Sequence, residues 1–215
     1  MPLLVLAMTF VTMLLVANIL AVKLVEIYSW VMPAGIIVYP LTFALTDTIS
    51  ETYGRKSATR IVWLGFAMSL AMVALLQIGQ HAPAASFWPG QDAYEQILGA
   101  VPRIVLASMV AYLVSQHHDV FAFHLIRRLT NTRHLWLRNN ASTVVSQALD
   151  TVLFVTIAFA GTVPGGVLWN IMITQYVLKL IIAALDTPVV YILVGIVRRY
   201  QGTQPIGEAA RAELN

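Results

Sequence analysis

The 215-residue chain contains no cysteine, which excludes disulfides, thiol nucleophiles and thiolate metal centres. Charge is scarce as well. Asp, Glu, Lys and Arg make up 11% of the residues, against about 25% in a soluble domain. The net charge is +3, and its arginines gather near predicted helix ends rather than forming the continuous basic surface that nucleic-acid binding needs. No H-E-x-x-H, G-x-S-x-G or glycine-rich phosphate loop occurs, so the usual parts for zinc hydrolysis, serine acyl transfer and direct ATP use are missing. Basic residues are also absent ahead of Lys23. The apolar start therefore lacks the positive region of a secretory signal, and a retained first helix is expected.

Apolar sequence fills the space. Hydrophobic residues account for 59% of the chain and the mean hydropathy is +0.76, which predicts an all-α integral membrane protein in the lipid bilayer. Six transmembrane helices are expected, at roughly 3–23, 34–52, 57–78, 98–120, 140–160 and 167–197, with the fourth able to run on to about 128. Each is long enough to cross a hydrocarbon core of about 30 Å. They form a single domain over residues 1–199, followed by a short solvated tail over 200–215. Arg55, Lys56 and Arg60 fall in one connection, Arg127, Arg128, Arg133 and Arg138 in another, and Arg198 and Arg199 at the last span's end. The alternation places both termini in the cytoplasm. Trp30, Trp88 and Trp169 then mark the outer interface, and Trp63 and Trp136 the inner one.

The polar residues inside these spans carry the functional signal. In PLTFALTDTISETYG (40–54), Asp47 and Glu51 lie one helical turn apart and share a face. The fifth span has a polar stripe of Asn139, Thr143, Ser146 and Asp150. Its serines and threonines read most simply as a helix–helix seam. Asp150 is different: near mid-bilayer an ionised carboxylate costs at least about 2.5 kcal/mol, so it must be protonated, paired or wet. Lys179 in the sixth span is its simplest partner, with Gln175 and Asp186 on the same face. His117 and His118 read as a solvated helix end, and no metal site or cofactor is expected. The Asn140-Ala141-Ser142 sequon falls on the cytoplasmic side. A short echo, VSQHHDVFAF (114–123) and VSQALDTVLF (145–154), leaves an internal repeat open.

Several strings together resemble the queuosine precursor transporter family, six-helix bacterial inner-membrane proteins of the vitamin-uptake type. They are ANILAVK (17–23), PLTFALTDTISETYGRKSA (40–58), RIVLAS (103–108), SQHHD (115–119), RNNASTVVSQALDT (138–151), QYVLK (175–179) and DTP (186–188). The resemblance implies a non-enzymatic carrier of small nucleobases. Its substrates would be 7-cyano-7-deazaguanine and 7-aminomethyl-7-deazaguanine, with queuine as a further candidate. No nucleic-acid binding is implied, because such a carrier meets the free base. The expected substrate-binding core is Asp47, Glu51, Asp150 and Lys179, with Asn18, Arg103, Gln116, Asn140, Gln147, Gln175 and Asp186 in support. Either Asp47 or Asp150 would accept the base's N–H groups. Gln147 or Gln175 would meet its carbonyl side, and Tyr39, Phe43 or Tyr176 would stack on its face. Asp47 is the expected substrate carboxylate and Glu51 the partner of the basic loop. A homodimer is expected on size alone. Two other readings stay open: the substrate-binding subunit of an energy-coupling-factor importer with a separate ATPase, and an intramembrane enzyme or structural subunit.

Overall fold

A computed structural model describes residues 2–129 and 135–201, with side chains at all of these except 119, 120, 122–143, 184, 186, 187, 200 and 201. The first helix, α1 (Pro2–Leu20), is apolar on every side, as a lipid-embedded helix must be. Its 19 residues rise about 28 Å. A two-stranded antiparallel hairpin follows, β1 (Leu24–Ile27) and β2 (Trp30–Pro33), turning at Tyr28 and Ser29. A 3-10 turn (Ala34–Ile37) then leads into α2 (Tyr39–Tyr53). The remaining helices are α3 (Arg55–His81), α4 (Gln91–Leu98), α5 (Val101–Leu129), α6 (Leu135–Phe159) and α7 (Gly165–Gln201).

Among the described residues, four stretches are long and apolar enough to cross a membrane, Pro2–Leu20, Arg55–His81, Gln91–His118 and Gly165–Ala183, with Val144–Phe159 a shorter apolar helix. The second expected span differs from its prediction. Its helix starts at Tyr39 rather than near residue 34 and has 15 residues, about 22 Å of rise. Pro40 explains the start, since a helix's first turn has no use for the N–H that proline lacks. The hairpin and α4 were also expected as plain connections. The tail over 202–215 lies outside the described residues.

Local chemistry lets α2 carry so many polar groups. Thr42, Thr46, Thr48 and Thr52 each donate to a backbone carbonyl three or four residues earlier, so the hydroxyls are satisfied within their own helix. The 3-10 turn presses against α1 at Gly35. A Cβ there would stand 2.7 Å from the Ala17 carbonyl oxygen, so only glycine fits. The hairpin is held by α7: Asn170 Oδ1 accepts from the Val31 N–H at 2.9 Å, and its Nδ2 donates to the Ser29 carbonyl at 2.8 Å. Trp30 and Trp169 flank this clasp and are largely exposed, in keeping with an interfacial aromatic belt.

Two apolar clusters organise the interior. Phe10, Ile49, Ile61, Val62 and Phe66 join α1, α2 and α3. Ile104, Ala107, Val155, Phe159 and Ile171 join α5, α6 and α7. The fully buried Ala107 and Thr151 are small residues of the kind that let α5 and α6 pack closely.

Candidate functional site

Between those clusters lies a cavity of about 240 Å³, bordered by α1, α2, α3, α5, α6 and α7 and by the 3-10 turn. Its walls are mostly apolar. Its chemistry is concentrated where α6 and α7 face α2. Lys179 Nζ lies 2.5 Å from Asp150 Oδ2, with the side chains 5% and 18% exposed respectively. The Ser115 hydroxyl stands 3.4 Å from the other carboxylate oxygen and 3.1 Å from the Tyr112 carbonyl oxygen, which compete for its one proton. The Lys179 ammonium also stands 5.2 Å from the centre of the Tyr39 ring, within reach of a cation–π contact. Both charges therefore have partners, as buried ions require.

The ammonium has three N–H donors, and among the described residues one hydrogen bond, to Asp150, uses them. The others remain for a ligand acceptor. Gln175, buried one turn before Lys179, also borders the cavity. Gln147 borders it one turn before Asp150, and its buried Oε1 has no hydrogen-bond partner. Aromatic walls complete the site. Tyr39 meets Phe43 edge-on at 4.5 Å, and Tyr112 meets Phe66 at 5.1 Å. An acceptor, several donors and flat apolar faces within one enclosure suit a small heteroaromatic ligand that is read along its polar edge.

Of the expected residues, Asp150, Lys179, Gln147, Gln175, Gln116, Asn18, Tyr39 and Phe43 line the cavity. Asn18 is buried and donates to Ser69 at 3.4 Å. Asp47 is placed elsewhere, exposed on α2 and absent from the lining. The stripe Tyr39, Thr42, Phe43 and Thr46 turns inward instead. Glu51 is also outside the cavity, 3.5 Å from Arg198 at the end of α7 rather than paired with Arg55 or Lys56. Arg103 caps α6: its Nε donates to the Ile157 carbonyl at 2.6 Å and its Nη2 to that of Ala160 at 2.5 Å, supplying donors that the last helical turn lacks. Tyr176 donates to the Val144 carbonyl at 3.4 Å and does not line the cavity. Asn140 and Asp186 fall outside the described side chains. Sequence reasoning passed over Ser108, Tyr112 and Ser115, which line the cavity from α5. Their i, i+4, i+7 spacing is the signal that marks one helix face.

The sequence model of the family described as "Putative vitamin uptake transporter" matches residues 33–193. The chain belongs to the vitamin uptake transporter family. Among curated proteins, it is 38% identical over 176 residues to the "Probable queuosine precursor transporter" of Bacillus subtilis (strain 168), covering 81% of this chain and 77% of the relative. The "Queuosine precursor transporter" of Escherichia coli (strain K12) is 31% identical over 125 residues, 58% of this chain and 54% of that protein. No solved structure matches the chain significantly. Family membership and the apolar helices together make this a multi-pass membrane protein. The matched region contains every charged residue of the cavity lining.

Proposed function

We propose that the protein imports queuosine precursors, free 7-deazaguanine bases, across the bacterial inner membrane. The observation that carries this reading is the Asp150–Lys179 pair, held inside an aromatic-walled cavity of a chain whose relatives are named as transporters of such compounds. A guanine-type edge presents adjacent N–H donors beside a carbonyl. Asp150 accepts from the donors, Lys179 and Gln175 donate to the carbonyl side, and Tyr39 and Phe43 cover the ring face. The bilayer orientation has both termini cytoplasmic, with the six helices α1, α2, α3, α5, α6 and α7 crossing and the hairpin outside. The distribution of arginines supports this. Residues 1–199 act as one transport domain, without nucleotide.

Uptake of radiolabelled 7-cyano-7-deazaguanine into liposomes holding only the purified protein is the direct test. Uptake without any nucleotide is expected, and Asp150→Asn should abolish it at equal protein content. Uptake undiminished in Asp150→Asn would sink the site assignment. A strict requirement for an added ATPase would make the chain a binding subunit instead.

A further inference from the structure

Gln147 brings an unmatched amide to the cavity. It borders the space from α6, one helical turn before Asp150, and its buried Oε1 has no hydrogen-bond partner. The nearby Thr151 hydroxyl does not supply one, because its single proton goes to the Gln147 backbone carbonyl at 2.8 Å. A buried acceptor left unpaired costs the free energy of its lost hydration, and native interiors keep few of them. Where such a group borders a ligand cavity, the missing donor is one that the ligand can bring. The terminal torsion of a glutamine is broad, so the amide can turn to meet it.

Position on the helix says which donor. Side chains one turn apart are neighbours, with Cβ atoms about 5–6 Å apart, so Gln147 meets a part of the ring next to the part held by Asp150. The carbonyl side belongs to Lys179 and Gln175 on α7, which leaves Gln147 the other flank. Around the rim of a 7-deazaguanine the polar groups run in the order carbonyl, N1–H, 2-amino group, N3 and N9–H. With Asp150 at N1–H and the 2-amino group, the next edge is N3 with N9–H, an acceptor beside a donor. A carboxamide has the complementary pair and can meet such an edge with two hydrogen bonds, as glutamine does on adenine. We propose that Gln147 is a specificity-determining residue that reads this edge, its Oε1 accepting from N9–H and its Nε2 donating to N3. This rests on the nucleobase reading above and deepens it. N9 is the atom that carries the sugar in a nucleoside, so the cavity admits the free base and turns its nucleoside away.

Calorimetric titration of the full-length protein in lipid nanodiscs tests this with two ligands. One is 7-cyano-7-deazaguanine, and the other is its furan analogue, in which a ring oxygen replaces N9–H without adding bulk. The cyano base should bind at least about fivefold more tightly than the analogue, the ratio expected when a buried acceptor loses its donor. Equal affinity of the two would overturn the inference and leave the transporter reading intact. If the cyano base itself does not bind, the nucleobase reading falls and this inference falls with it. Gln147→Met supplies a second readout, since it keeps the length of the side chain and removes the amide. The cyano base should weaken there until the two ligands lie within about twofold of each other. The full wild-type ratio persisting in a folded variant would refute the role given to Gln147.

Discussion

Removing one member of the Asp150–Lys179 pair should destabilise the protein more than removing both. Taking one partner from a buried ion pair leaves the other charge uncompensated, at about 3–5 kcal/mol. The two single variants should not be equal. Asp150→Asn strands an ammonium that is 5% exposed, with a ring face as its remaining support, worth about 0.5–2 kcal/mol. Lys179→Met strands a carboxylate that is 18% exposed with the Ser115 hydroxyl 3.4 Å away, so a loss at the lower end of the range for an uncompensated charge is expected. The double variant Asp150→Asn/Lys179→Met has no charge to strand and should recover at least about 2 kcal/mol relative to the sum of the singles. Thermal unfolding in detergent, followed by tryptophan fluorescence, reads this as a midpoint lowered by roughly 6–20 °C for Asp150→Asn. The double variant should melt above it. If the double variant loses the sum of the two single losses, the pair is not coupled and the electrostatic account of the site is wrong.

Other contacts give sharper yes-or-no outcomes. Gly35→Ala forces a methyl to within 2.7 Å of the Ala17 carbonyl oxygen. A loss of about 1–3 kcal/mol, typical of overpacking, should appear as a lower melting midpoint, and an unchanged midpoint would contradict the close approach. Arg103→Gln removes the guanidinium that caps α6 and should cost about 2–3 kcal/mol without altering ligand affinity. Arg103→Lys should recover little of that, since an ammonium lacks the planar fork. Asp47→Asn, outside the lining, should leave affinity for the 7-cyano base within about twofold, whereas Asp150→Asn should lose it; equal loss in both, measured by calorimetry, would return Asp47 to the binding site.

Much of this was legible in the sequence, and the exceptions have a common cause. The first and third expected spans follow from long apolar runs, which lipid permits only as helices. The lysine–aspartate pair was legible because a mid-span charge needs a partner and few were available. Asp47 was expected in the site because spacing shows which residues share a face, but not which way that face points. In α2 the direction is set by packing: Ile49 and Leu45 enter the apolar cluster with α1 and α3, which turns Thr42 and Thr46 to the cavity and Asp47 away from it. The hairpin was missed for a different reason. Its turn has no glycine or asparagine to announce it, and Tyr28 takes up a backbone φ of +58° that non-glycine residues rarely adopt. The bonds from Asn170 hold it there from a distance in sequence that no local pattern records.

That hairpin offers a practical handle. Tyr28 stands at its tip, 97% exposed, and the natural chain contains no cysteine. Tyr28→Cys therefore introduces a lone thiol, reachable by a membrane-impermeant maleimide from one side of the bilayer. Because Asn170 ties the hairpin to the first turns of α7, the side that labels fixes the sidedness of two connections with a single reagent.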